Sequence, residues 1–244
     1  MESYSDLLLC LALAAVAWLY SSVGHAGASG YIAVMTLAGF APDRIKPVAL
    51  LLNILVASIA SIQFYRAGHF SWQLFWPIAL LAPPMAFLGG FLSLPLDWFK
   101  ALLGVVLAGS ALWLWLPIPA DETTVDPPKH TAIAAGAGLG LLSGLTGTGG
   151  GIYLTPLLLF MGWAKTKTAS AVSALFILVN SISGLAGLFT SGKPMPQAWH
   201  YLDASVVVGG CIGATLGSFR LPVRGARILL SIVMSIAAAK LLAW

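Results

Sequence analysis

Long stretches without a charged residue constrain this chain more than any other feature. Residues 7–42 are an uncharged run of 36, and residues 130–164 are an uncharged run of 35. A charge at the centre of a bilayer costs at least ~2.5 kcal/mol, so runs of this length are typical of membrane segments. Because a spanning helix takes about 20 residues, the chain has room for roughly seven to ten crossings. We therefore expect an all-α integral membrane protein.

The composition excludes several functional classes. Only 8% of the residues are charged and 59% are hydrophobic, whereas soluble domains carry roughly a quarter of their residues as charges. No polar stretch is long enough for a separate catalytic domain, and the basic residues are scattered singly between apolar runs instead of forming a nucleic-acid surface. Cys10 and Cys211 lie in apolar runs without metal-ligand companions. We expect neither an enzyme nor a nucleic-acid binder, and no cofactor or metal.

The two halves of the chain repeat a glycine-rich motif. The first uncharged run contains GHAGASGYIAV at Gly24 to Val34, and the second contains GLTGTGGGIYLTP at Gly144 to Pro156. Placing Gly30 on Gly151 gives an offset of 121, and this offset also superposes the two basic residues that follow each run. Between the halves, the segment LPIPADETTVDPPKH holds four prolines. We expect an N-terminal repeat at 1–118, a linker at 119–130 and a C-terminal repeat at 131–244.

Each uncharged run is too long to be one helix. A straight helix of this length would extend about 54 Å, well beyond a hydrocarbon core of ~30 Å. The glycine clusters lie near the middle of each run, and glycine permits the sharply turned backbone that a break requires. We expect each half to begin with a glycine-broken segment that returns to its starting side, followed by three transmembrane helices. The number of crossings per half is then odd, so the second repeat is inverted relative to the first.

A helix that begins inside a membrane favours an anion. Its unpaired N–H groups and partial positive charge point into whatever cavity it faces. Two such ends from opposite sides would hold a small oxyanion through backbone amides and neighbouring side chains, without a buried lysine or arginine. The substrate-binding candidates are His25, Gly27, Ser29, Asn53, Thr148, Gly149, Gly150, Ser173 and Asn180.

Several of these residues also have a purely structural interpretation. His25 binds substrate or carries a proton, or it stabilises the turn at the break. Asn53 and Asn180 donate to the anion, or they hydrogen-bond between helices, and the hydroxyl residues also let helices approach closely. His200 and Asp203 share a helix face, so with His25 they are the candidates for proton coupling. The alternative for that pair is an interfacial position near a helix end.

Four segments carry a resemblance to a known family. GHAGASGYIAVM, KPVALLLNILVASIASIQFYRAGHF, GLLSGLTGTGGGIYLTPLLL and SALFILVNSISGLAG resemble the sulfite exporter TauE/SafE family of membrane proteins. The resemblance implies a multi-pass carrier of the bacterial inner membrane that exports sulfite, sulfoacetate or related organosulfonates. Its expected partners are the small anion and membrane lipid, and a homo-oligomer stays open. Loop charges favour an orientation with both termini outside.

Two other functions compete with anion transport. GASG, at Gly27 to Gly30, has the glycine-x-serine-glycine form, so an intramembrane serine protease would use Ser29 with His25 or His200 as its base. A cation carrier would instead hold a carboxylate in the bundle interior. The uncharged runs contain no carboxylate.

Overall fold

The fold comes from a computed structural model that describes residues 2–92, 124–192 and 200–219, with isolated positions between 95 and 112 and between 235 and 239. Most of the last helix expected in each half, and part of the expected linker, lie outside these residues. The described helices are α1 (Glu2–Ser22), α2 (Ala28–Leu37), α3 (Pro42–Arg66), α4 (Trp72–Ala79), α5 (Ala82–Phe91), α6 (Lys129–Thr146), α7 (Gly151–Phe160), α8 (Thr166–Thr190) and α9 (His200–Phe219).

Two of the described helices are long and apolar enough to cross a membrane by themselves. These are Arg44–Arg66 of α3 and Thr166–Thr190 of α8, and α4 with α5 forms a third candidate span that bends by 40° at a short break. The shorter apolar helices are Leu7–Ser22, Ala28–Leu37, Gly151–Phe160 and Asp203–Phe219. The all-helical membrane architecture is confirmed for the described residues. The larger number of crossings stays a prediction, since it also counts helices outside them.

Both predicted breaks are present. α1 ends at Ser22 and α2 begins at Ala28, while α6 ends at Thr146 and α7 begins at Gly151. Glycines turn the backbone in each break, where φ is 77° and 105° at the two glycines of the first break and between 76° and 83° at the three of the second. A side chain at a positive φ costs roughly 1–2 kcal/mol, which explains why glycine occupies these positions.

The register of the repeat differs from the one expected from sequence. Gly27 and Gly150 are the N-caps of α2 and α7, so the offset at the breaks is 123, and α3 and α8 are both 25 residues long at an offset of 124. The offset of 121 is therefore wrong, and the counterpart of Gly151 is Ala28 instead of Gly30. Matching glycine to glycine misled the alignment, because the turn is set by the glycines at positive φ and not by those inside the following helix.

The two halves pack against each other through equivalent helices. α1 packs against α9 and α6 packs against α5, while α3 and α8 pack together. α5 also contacts α8, as α9 contacts α3. Each half is therefore buried largely by the other half.

Glycines spaced four residues apart let two of these helix pairs approach to backbone contact. On α6, a Cβ added at the glycines would collide with the backbone of α4 and α5, and on α9 it would collide with the backbone of α1. In bilayers, where lipid is as apolar as the helices, such close packing supplies much of the association energy. The stripes are Gly136, Gly140 and Gly144 on α6, and Gly209, Gly213 and Gly217 on α9.

Gly140→Ala tests this packing against Gly138→Ala as a matched control. A Cβ at position 140 meets the backbone of Ala82, whereas a Cβ at position 138 of the same helix meets nothing within 4 Å. We expect Gly140→Ala to lower the free energy of unfolding by about 1–3 kcal/mol through overpacking, and Gly138→Ala to leave it unchanged or raise it through helix propensity. Thermal unfolding in one detergent measures both. Equal melting temperatures for the two variants would contradict the close contact.

Candidate functional site

The imidazole of His25 joins the two breaks. Its Nδ1 lies 3.1 Å from the carbonyl oxygen of Val23, within the first break, and its Nε2 lies 3.1 Å from the carbonyl oxygen of Gly151, the first residue of α7. Its ring is nearly perpendicular to that of Tyr20, with ring centroids 6.5 Å apart. The fold therefore brings the first break against the helix that begins after the second one, as a shared binding site requires.

Both helices that begin at the breaks start without a side-chain cap. Neither Gly27 nor Gly150 provides one, since glycine has no side chain. The first intrahelical bond of α2 runs from the Tyr31 N–H to the Gly27 carbonyl, and that of α7 from the Tyr153 N–H to the Gly150 carbonyl. The amides that precede these bonds lie in the protein interior, where unpaired N–H groups favour an anion.

Asn53 of α3 lies directly beside the second break. Its Nδ2 donates to the Ser181 hydroxyl of α8 at 3.3 Å, and a Cβ added at Gly149 would lie 2.5 Å from that nitrogen and 3.0 Å from the Ser181 Oγ. Asn53 is fully buried, and its Oδ1 has no hydrogen-bond partner. The structure thus brings two predicted residues, Asn53 and Gly149, together and adds Ser181.

Asn180 and Ser143 carry further buried polar atoms without partners. Both side chains are fully buried, and the Asn180 Nδ2 and Oδ1 and the Ser143 Oγ make no hydrogen bond within the structure. Ser143 belongs to the second break, because its Cβ lies 3.2 Å from a Cβ added at Gly150. A buried polar group left unpaired costs about 1–3 kcal/mol. A ligand or an ordered water that paired with these atoms would offset this cost.

The three hydroxyl residues expected to bind substrate have protein partners. Ser29 Oγ donates to the Tyr20 hydroxyl at 2.9 Å, Thr148 Oγ1 donates to the Tyr153 hydroxyl at 3.2 Å, and Ser173 Oγ accepts from Thr155 at 2.7 Å. Sequence reasoning missed these tyrosines. A signal was present, since a phenol in an uncharged membrane run needs a hydrogen-bond partner.

The hydroxyl and imidazole contacts also bear on the serine-protease alternative. Ser29 is paired with Tyr20, and both ring nitrogens of His25 face backbone carbonyls. The structure therefore does not place His25 as a base on the Ser29 hydroxyl, which nucleophilic catalysis would need.

A buried lysine lies next to the second break, contrary to the expectation that the site has none. Lys46 is 7% exposed, and its Cγ lies 2.8 Å from a Cβ added at Gly147. Its Nζ donates to the Gly89 carbonyl at 3.3 Å. That carbonyl belongs to the last turn of α5, where the helix dipole favours a cation. The buried charge of Lys46 is stabilised by this hydrogen bond and by the negative end of the α5 dipole.

The other two proton-coupling candidates lie at the start of α9. His200 and Asp203 lie in the first turn of α9, Asp203 is half-buried, and the side chain of His200 lies outside the described residues. Their role as a relay stays a prediction. Among the residues that the structure describes, no three His, Cys, Asp or Glu side chains group as metal ligands.

Comparison with known proteins identifies the family. Residues 8–241 match the family described as Sulfite exporter TauE/SafE. The chain belongs to this family. A Sinorhizobium fredii protein named "probable membrane transporter protein" is 38% identical over 96% of this chain and 97% of its own length. A Haemophilus influenzae protein of the same description is 27% identical over 88% of this chain and 86% of its own. No solved structure matches the chain.

Family membership establishes that the protein is a transporter but does not identify its substrate. This TauE/SafE protein is a membrane transporter, in agreement with the names of its relatives. The family resemblance that the glycine motifs and the asparagine helices indicated is therefore confirmed. The relatives' names state no substrate. The chemistry of the transported molecule therefore has to be inferred from the geometry of the breaks.

Gly149→Ala tests whether the close approach of Asn53 is needed. Gly149 and Gly162 both have positive φ, at 76° and 65°, so alanine strains both backbones similarly, but only position 149 is crowded. We expect Gly149→Ala to reduce transport at least about tenfold by displacing the amide, a disturbance of more than about 1.4 kcal/mol. Gly162→Ala should keep most of the activity. Flux into proteoliposomes, normalised to inserted protein, measures the difference, and equal flux in both variants would refute the contact's importance.

Proposed function

We propose that this transporter exports a small sulfur oxyanion, sulfite or an organosulfonate such as sulfoacetate, across the bacterial inner membrane. The observation that carries the proposal is the pair of uncapped helix N-termini at α2 and α7, joined by the contact between His25 and Gly151. Backbone amides at two helix starts suit an oxyanion and hold it without a full countercharge. The family description supports sulfur as the central atom.

The buried amides of the two asparagines complete the proposed site. A sulfite or sulfonate group presents three oxygens, each an acceptor of N–H hydrogen bonds. Asn180 Nδ2 has no partner within the protein, and Asn53 Nδ2 has only the long bond to Ser181. An anion between the breaks would pair with donors that the fold leaves unused, which offsets the cost of their burial.

The proposed transport cycle uses two inverted repeats. The cavity lined by Ser71, just after α3, is also lined by Lys165, just before α8. The end of α3 and the start of its counterpart α8 therefore face the same side, which supports opposite directions for the equivalent helices. Rocking of such halves around a central site gives alternating access. The multi-pass topology and the orientation with both termini outside belong to this proposal.

His25 is the proposed proton-coupling residue. Carbonyl oxygens only accept hydrogen bonds, and a neutral imidazole carries one N–H, so the contacts with Val23 and Gly151 are both hydrogen bonds only when the ring is protonated. Loss of the proton would release one of the two, and release of the contact with Gly151 would loosen the link between the halves. A proton that binds and leaves here would bias the relative position of the breaks.

Asn180→Leu separates binding from folding. Leucine keeps the branched shape of the asparagine side chain and removes two unpaired polar atoms, so we expect thermal stability to be unchanged or higher. Because the variant lacks the amide donor, export of labelled sulfite or sulfoacetate should fall at least about tenfold. Proteoliposome flux and the melting temperature in detergent are measured on the same preparation. Normal flux for both substrates in Asn180→Leu would remove this residue from the site.

His25→Gln tests the coupling role. Glutamine keeps two N–H donors but does not titrate, so flux should persist while its dependence on pH disappears. Sulfoacetate is the suitable substrate, because its acid groups stay ionised above about pH 6. Flux is compared between about pH 6 and pH 8 with a dye that reports lumenal pH. A variant with the wild-type pH profile would show that His25 only stabilises the turn.

A further inference from the structure

A polar cavity lies at the end of α6 that is opposite the second break. Its volume is about 460 Å³, and its walls come from the start of α4, the segment before α6 and the start of α8. A backbone hydrogen bond of 2.8 Å from the Val125 N–H to the Gly162 carbonyl holds the linker against the turn that follows α7. This hydrogen bond joins two of the chain segments that border the cavity. Its polar lining includes Ser71, Asp126, Lys129, Lys165 and Thr168.

The charged residues that line this cavity carry a net positive charge, and the two lysines among them lack a partner within the described residues. Lys129 and Lys165 line it together with one acid, Asp126. Both lysines are exposed, and among the described residues neither ammonium group has a hydrogen bond or an ion pair. Two lysines facing a common space would repel each other without a counter-ion, and the single carboxylate neutralises one of them at most.

Two helices begin at the wall of this cavity without side-chain caps. α6 has Pro128 at its N-cap and α8 has Lys165, and neither side chain accepts a hydrogen bond there. Their first intrahelical bonds come from Ala132 and Ala169, so the earlier amides add partial positive charge to that of the lysines. At α4, by contrast, the Ser71 hydroxyl accepts from the Leu74 N–H at 3.4 Å.

α6 connects this cavity to the second break. Lys129, its first residue, lines the cavity, and Thr146, its last residue, directly precedes the break. Its 18 residues extend about 27 Å. An anion at the cavity is thus at one end of the helix whose other end adjoins the proposed transport site.

We propose that this cavity is a vestibule site that binds the transported oxyanion at the aqueous face, before or after its passage through the membrane. The ligand class is a small, hydrated oxyanion such as sulfite or a sulfonate, held by Lys129, Lys165 and the starts of α6 and α8. Positive charge around a cleft raises the local concentration of anions and their association rate. The role in transport rests on the proposed function, whereas the binding of an anion here does not.

The test is a double variant, Lys129→Gln with Lys165→Gln, reconstituted in phosphatidylcholine vesicles, which contain no anionic headgroups to compete for the cavity. We expect the apparent KM for sulfite offered at the vestibule face to rise about fivefold or more, with the maximal rate and the KM at the opposite face unchanged. The difference should shrink when the ionic strength is raised to about 0.5 M, because salt screens exposed charges.

Arg66→Gln is the matched control for this experiment. Arg66 is an exposed cation five residues before Ser71 and lines a different, mostly apolar cavity beside α3. Arg66→Gln should leave the KM within about twofold of the wild type if the rise in the double variant comes from the charges at the cavity and not from the net charge of the protein. An unchanged KM in the double variant, or an equal rise in Arg66→Gln, would overturn the vestibule.

Binding is also measured without transport, which separates this proposal from the proposed function. Trp163 lines the cavity. The difference in fluorescence between the wild type and Trp163→Phe is the emission of Trp163, and a change in this emission reports that an anion occupies the cavity. Sulfite should change this signal saturably in Asn180→Leu, whose transport site is impaired, and not in the double lysine variant. A saturable, lysine-dependent signal in a protein that moves no sulfur oxyanion would sustain the vestibule and refute the proposed substrate. No saturable signal in the wild type would refute the vestibule while leaving the transport proposal intact.

Discussion

The structure depends on two helices, α2 and α7, that begin in the protein interior, where their first amides have no partner within the helix. Lipid cannot hydrogen-bond a bare N–H group, so a broken helix is tolerated only where protein or an enclosed polar space surrounds it. Here α2 and α7 both begin without a side-chain cap, and the contact of His25 with the Gly151 carbonyl joins the two breaks. The breaks therefore add a polar contact between the two halves to the packing of their helices.

Glycine serves two different purposes in this chain, and both serve the breaks. At Gly27 and Gly150 it supplies a positive φ at the residue that starts a helix. Along α6 and α9 it removes side chains so that neighbouring backbones touch. The first use creates polar groups inside the bundle, and the second draws the helices close enough to keep lipid away from them.

Two lysines of the described residues place their charges at the ends of neighbouring helices. Lys46 donates a hydrogen bond to a carbonyl in the last turn of α5, and Lys167 does the same to Ser218 in the last turn of α9. These lysines stabilise helix ends where the dipole is negative. In the proposed transport site, amides, asparagines and one histidine would bind an anion weakly enough for release. A carrier needs that balance, because a fixed countercharge would retain its substrate.

The sequence by itself determined the all-helical membrane class and the position of both breaks, because charge-free length and glycine clusters are local properties. It did not determine the register of the repeat, the meeting of His25 with Gly151, or the pairing of Ser29 with Tyr20. The contact of Asn53 with Gly149 and the burial of Lys46 were equally out of reach. The contacts of His25 with Gly151 and of Asn53 with Gly149 join residues of the two halves that are far apart in the sequence. In lipid every face of a helix is apolar, so the hydrophobic pattern does not show which face of one helix packs against which helix of the other half.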